Sequence, residues 1–342
     1  ELDRIKITAL HESGYPKNIC LKRFVSHKEL AMQVYKYLDL RKIPDVIYTA
    51  VPSLSVAESV AKYCKKKNVR FIVDIQDLWP EAFKMVIKVP VLGDLLFKPL
   101  EKQANRIYTS ADEIVAVSKT YANRAMKVNK KCESPTVVYL GTEKNIFDSY
   151  FIKEEVKKEI FTIVYIGSLT ASYDLDVVID AISKIDGEVK LLVMGDGILR
   201  KSFEEHAKRV GIKVEFTGRL SYPQMVNRLV KCDIAVNPIH KGSAGSIINK
   251  VNDYAMAGLP VVNTQECIEY RSLLEEYNAG INCRCEDVND VANAMKKLME
   301  NTLIRDEMSH NSRRLGEERF DRKNSYLKIK NLILSDQKIT EK

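Results

Sequence analysis

The chain has 342 residues, 45% of them hydrophobic, and a formal net charge of +8. That is enough sequence for two α/β domains with full cores. It contains no apolar run long enough to span a bilayer. Its seven scattered cysteines, with no CxxC pair, fit a reducing cytosol better than a disulfide framework.

The first half reads as alternating strands and helices. Strands are predicted at Val46–Thr49, Phe71–Ile75, Glu113–Val117 and Thr136–Leu140, and helices over 27–39, 53–66, 94–109 and 119–129. Short Val/Ile-rich runs between helical patterns predict a parallel sheet with crossover helices. Residues 1–150 hold 25 Lys and Arg against 17 Asp and Glu, whereas residues 151–342 hold 29 of each, so all the net charge lies in the first half. A basic domain joined to a neutral one points to an anionic partner. No nucleic-acid-binding motif accompanies the charge. The stretch from Glu81 to Lys98 spaces Lys84, Lys88 and Lys98 through apolar bulk, which suits an anionic membrane surface or a core-facing helix with a wet side.

Asp74, Gln76 and Asp77 end a predicted strand. Their carboxylates either orient and deprotonate a hydroxyl or cap the following turn. Trp79 either stacks on a ligand or fills the core. Residues 142–160, charged and without periodicity, are predicted to be a linker. Strands then recur near 161–167, 190–194, 213–217, 233–237, 260–263 and 280–283, with helices between them. Asp174-Leu175-Asp176 opens a helix, so capping explains it better than a metal, and the five histidines form no ligand-spaced pair. Gly195-Asp196-Gly197 lacks the third glycine of a dinucleotide fingerprint.

The most informative stretch is the small-residue loop Gly242, Ser243, Gly245 and Ser246, followed by a predicted helix that ends at Gly258. Small residues before a helix let backbone N–H groups approach a phosphate, although the same pattern serves a surface loop ahead of a packed helix. Lys250 and Asp253 stand three apart on one helix face. One suits an anion and the other a sugar hydroxyl, or both are structural.

Lys250, Asp253, Tyr254, Gly258 and Pro260-Val261-Val262 together resemble the donor-site motif of retaining family-4 glycosyltransferases. Ile163–Leu169, Leu192–Gly197 and Val214–Leu220 resemble that family's strand ends, and Val73–Glu81 resembles a motif of its bacterial capsule and O-antigen members. The resemblance implies a GT-B fold: two Rossmann-like parallel-sheet domains facing a cleft, over 1–145 and 146–320, with a helix from 321–342 returning to the first. It also implies that about 30 residues of the usual N-terminal βαβ unit are missing. The implied activity is transfer of a sugar, with retention, from a nucleotide-sugar donor to a lipid-linked or polysaccharide acceptor. The implied setting is capsule or O-antigen synthesis at the inner face of the cell membrane.

By that resemblance Arg219, Lys250 and Asp77 are catalytic. Gly167, Ser168, Gly195, Gly242, Ser243, Gly245, Ser246, Asn249 and Asp253 bind donor, and Asp74 and Trp79 lie on the acceptor side. No cofactor or metal is expected, the nucleotide sugar being a substrate. Three positions depart from the family pattern: Gly245 replaces a glutamate, Ser168 an arginine, and Tyr173-Asp174 a Lys-Gly pair. An inactive homologue supporting an active partner, or a nucleotide-sugar epimerase of the same fold, are the alternatives.

Overall fold

The Val- and Ile-rich runs pair as two all-parallel sheets. A computed structural model describes residues 5–16, 20–81, 92–151, 160–243 and 246–335. The chain divides into two compact units, one formed by residues up to 138 together with those from 332 on, the other by 139–331.

In the first unit the sheet runs in the order β1 (Val46–Val51), β2 (Arg70–Ile75), β3 (Glu113–Ala116), β4 (Thr136–Val137). β2 is central, and Phe71 through Ile75 are all buried. Strands covered on both faces read as continuous apolar runs, as this one does. Helices Leu21–Asp39, Leu54–Lys67, Leu92–Ser110 and Lys119–Met126 connect and flank them. The first begins six residues before the predicted start at His27, and it buries Ser26, His27 and Ala31. Ser118 starts the last of them, its hydroxyl accepting from Tyr121 N–H at 3.2 Å. Residues 82–91, with Lys84 and Lys88, lie outside the described residues, and Lys98 is exposed.

The second unit holds β5 (Phe161–Ile166), β6 (Val189–Met194), β7 (Lys213–Gly218), β8 (Ile234–Asn237), β9 (Val261–Asn263) and β10 (Gly280–Asn282), in the order β10-β9-β8-β5-β6-β7. Its period-2 alternation sorts the core into two layers. Ile163, Tyr165, Leu191 and Val193 face helices Leu175–Ile182, Arg200–Val210 and Val288–Glu300. Val164, Ile166, Leu192 and Met194 face helices Lys250–Met256 and Ile268–Tyr277 and the ring of Phe320. Both faces are thus covered, as a parallel sheet requires.

The predicted linker is partly structured. Helix Lys144–Ser149 lies in it, and Thr142 pairs with the chain after Phe320: its N–H donates to the Phe320 carbonyl at 2.9 Å, and Arg322 N–H donates back at 3.2 Å. A Cβ on Gly141 would lie 2.1 Å from the Phe320 carbonyl oxygen, so only glycine permits that approach. Residues 139–145, expected in the first domain, therefore pack in the second unit.

Candidate functional site

The chain steps from β5 outward to β6 and β7, then crosses back to β8 on the other side of β5 and proceeds to β9 and β10. The loops after β5 and β8 thus lead in opposite directions. Open α/β sheets leave a ligand crevice at the carboxyl ends of the strands where this reversal occurs. The two loops are laced together there. Asp174 N–H donates to the Pro238 carbonyl and His240 N–H to the Ser172 carbonyl, each at 3.2 Å, and Tyr173 bridges Ile239.

Glycines bring the loops after β5 and β6 into contact. A Cβ on Gly195 would lie 1.8 Å from the Gly167 carbonyl oxygen, and one on Gly197 2.2 Å from that of Leu169. Leu169 N–H donates to the Asp196 carbonyl at 3.0 Å. Gly195 is buried in this seam, so close backbone packing accounts for it. Gly167 N–H is engaged by the Met194 carbonyl at 3.0 Å and is not a free donor, whereas Ser168 is exposed.

Lys250 is 8% exposed. Its Nζ lies 3.9 Å from the ring centroid of Tyr165 and 3.7 Å from that of Tyr173, and it has no hydrogen-bond partner. Gly167 makes room for it, since a Cβ there would stand 2.8 Å from Nζ. Burial pushes its pKa well below the usual lysine range. Taking an unpaired ammonium out of water costs several kcal/mol. Each ring face returns about 2 kcal/mol or more in such a setting, without supplying a hydrogen-bond acceptor. An amine this deep without an oxygen partner suits an anionic ligand better than a structural brace.

Asp253 lies on the same helix but meets a different set of groups. Its Oδ1 accepts from Thr142 Oγ1 and Tyr222 Oη, each at 2.8 Å. Burial, first, raises its pKa, while those two hydroxyls oppose the shift. It lines a cavity of about 390 Å³ with Leu140, Thr142, Tyr222, Asn249, Asn252 and Arg322. The buried Asn252 Oδ1 is unpartnered. Its polar lining joins acceptors and hydroxyls to the Arg322 guanidinium, groups of the kind that hydrogen-bond sugar hydroxyls.

The small-residue loop differs from expectation. The helix starts at Lys250 and runs only to Met256, so Ile247–Asn249 separate it from Ser246. Ile247 is buried in the core, which sets that spacing. Gly242 N–H donates to Glu266 Oε2 at 3.1 Å, and Ser243 N–H to the His240 carbonyl at 3.0 Å, so neither amide is free for a phosphate. The Ser246 carbonyl accepts from Gln265 Nε2 at 2.6 Å. Asn249 is exposed and makes no side-chain cap bond. Gly245 lies outside the described residues. Arg219 is exposed just past Gly218, at the carboxyl end of β7.

In the first unit, packing claims the expected acceptor-side residues. Trp79 is 5% exposed, with His27 stacked on it at 6.1 Å and the Arg23 guanidinium 4.3 Å from its ring. It is a core residue, and no face is left for a sugar. Asp74 is 6% exposed and accepts from Gln76 Nε2 at 2.8 Å. Burial raises its pKa against the bonds from Gln76 and Tyr48. Asp77 turns back to accept from Leu78 N–H at 2.9 Å, a local turn bond.

Asp174 caps its helix, accepting from Val177 N–H at 3.1 Å, and Asp176 engages His206. Among the described residues, no group of three or more His, Cys, Asp or Glu is placed to hold a metal ion. Tyr165, Tyr173, Thr142 and Tyr222 did not figure as site residues in the sequence pattern. The signal available for Tyr173 was its position as a departure from the family motif.

Residues 160–301 match the family model for glycosyl transferases group 1. The uncharacterized glycosyltransferase MJ1178 of Methanocaldococcus jannaschii is 25% identical over 234 residues, which span 67% of this chain and 59% of that protein. HepE of Anabaena, solved in complex with UDP, superposes with a TM-score of 0.71 at 18% identity, over 90% of this chain and 82% of that one. Sucrose-phosphate synthase of Thermosynechococcus elongatus superposes with a TM-score of 0.74 at 13% identity, over 95% and 82%. The two Rossmann-like parallel-sheet units are therefore those of the GT-B fold, and the group 1 match falls on the second of them. Among the described residues no helix is long and apolar enough to cross a membrane.

Proposed function

We propose that this chain is a retaining glycosyltransferase that takes its donor, a nucleoside diphosphate sugar, at the β5–β8 switch point of the second unit. The observation that carries this is Lys250, an amine buried without a partner where two loops open at the carboxyl edge. HepE, of the same fold, has been solved with UDP and with UDP-glucose, which supports a nucleotide-sugar donor.

Breaking the anomeric C–O bond leaves charge on the departing diphosphate. Preorganised donors aimed at that charge lower the barrier. Lys250, Arg219 and the Ser168 amide fill this role, with no metal in the step. Asp253 and Asn252 meet ribose hydroxyls in the adjoining cavity once Tyr222 or Thr142 yields a bond. The acceptor, a lipid-linked or polysaccharide glycan, is met by the basic first unit, which docks on an anionic membrane surface. A non-catalytic homologue is the second reading, favoured by Ser168 and Tyr173, which supply no cation where the family has them.

Calorimetry with UDP, GDP, ADP and TDP tests the donor site. Lys250→Met should weaken the preferred diphosphate by about 2 kcal/mol or more, roughly 30-fold, with the melting temperature kept or raised. Unchanged affinity would remove Lys250 from the site. Tight binding without sugar transfer to any glycolipid acceptor would favour the second reading.

A further inference from the structure

Lys250 Nζ is faced by Tyr165 from β5 and by Gly167 and Tyr173 from the loop that follows. Tyr165 Oη donates to the Ser168 carbonyl at 2.7 Å, so its ring is held in place. The two rings stand edge to face, their centroids 5.9 Å apart and their planes at 71°. On the lysine's own helix the acidic neighbour, Asp253, is engaged by Thr142 and Tyr222. No charged group contributes to the shift of Lys250, which burial alone causes. Tyr173 is the outer wall of this enclosure, being only half-buried and sitting on the loop rather than the strand.

We propose that Tyr173 is a positioning residue which, with Tyr165, clamps Lys250 as a neutral amine in the empty site, so that binding a nucleoside diphosphate adds one proton to Nζ. This rests on the donor site assigned above. The proton comes from solvent, Lys250 passes from amine to ammonium, and no other bond forms or breaks. The physical reason is that two ring faces solvate an ammonium less well than water does, whereas a diphosphate oxygen supplies the missing acceptor and counter-charge. Linkage fixes the sign. The free protein binds fewer protons at Lys250 than the complex, so affinity falls as pH rises between the lowered value of the free site and the raised value of the complex. The fall approaches about tenfold per pH unit within that window.

Calorimetry of the full chain with UDP, or whichever of GDP, ADP and TDP it prefers, should be run at mildly alkaline pH in buffers of different ionisation enthalpy. The dependence of the observed heat on buffer should report uptake approaching one proton per nucleotide. Lys250→Met, measured at the higher concentrations its weaker binding requires, gives the nucleotide's own share, which should be close to zero. Tyr173→Phe keeps the ring and should keep the uptake. Tyr173→Leu admits water, leaves Lys250 charged beforehand, and should abolish both the uptake and the pH slope. Binding by the unmodified protein without proton uptake would overturn the proposal and leave the donor site standing, and uptake retained in Tyr173→Leu would overturn the role of Tyr173. Failure to bind any of the four diphosphates would overturn the donor site and this proposal with it.

Discussion

The candidate residues at the end of β2 and those on helix Lys250–Met256 bury their polar groups in opposite ways. At the end of β2 every candidate is satisfied: Asp74 holds Gln76, Asp77 holds the Leu78 amide, and Trp79 lies between His27 and Arg23. At the switch point of the second sheet, Lys250 Nζ and Asn252 Oδ1 are buried with no partner. A satisfied buried group stabilises the fold, and an unsatisfied one costs free energy until a ligand completes it. Burial without a partner sets Lys250 apart from the equally buried Asp74.

The largest expected effect tests the first side of that contrast. Trp79→Ala should cost about 3–5 kcal/mol of stability, as deletion of a core aromatic does. Chemical denaturation measures it, and diphosphate affinity in the second unit should be unchanged. Full stability combined with lost transfer would show instead that Trp79 meets a substrate.

An intermediate effect concerns charge. The excess of basic residues lies wholly in residues 1–150, so the chain should sediment with anionic vesicles and release with salt. Lys98→Glu should weaken this by about 1 kcal/mol per charge at the surface. Binding that is indifferent to salt would contradict the proposed docking of the basic unit.

The smallest effect is a slope. The Asp74 carboxyl, raised by burial, binds its proton more tightly folded than unfolded. Its contribution is therefore full below the ordinary aspartate range and is lost as pH rises through the raised folded value. Asp74→Asn should flatten melting temperature against pH in that window and keep the neutral-pH fold intact. An unchanged slope would mean that Asp74 is solvated, which would reopen it as an acceptor-side group.

Much of the fold was legible because it depends on local periodicity. Each strand of the second sheet was located to within a residue or two; the central strands β5, β6 and β8 are buried apolar runs, as burial on both faces demands. Lys250 was singled out by its spacing to Asp253, Gly258 and Pro260. The packing of residues 139–145 was not, because their partners at Phe320 and Arg322 lie far along the chain. Helix Lys250–Met256 was expected to open directly from the glycine loop, but the burial of Ile247 intervenes.

By itself, then, the sequence determined the alternation of strands and helices and the parallel sheets, and it nominated residues for a phosphate, because these follow from side-chain chemistry and short-range spacing. Tertiary structure alone decided which of them are available. Gly167, Gly242 and Ser243 use their amides on the protein, Trp79 disappears into a core, and Tyr165 and Tyr173 close on Lys250. A partner supplied from a distant strand or loop leaves no periodic trace, so whether a buried polar group is satisfied is known only once the chain has folded.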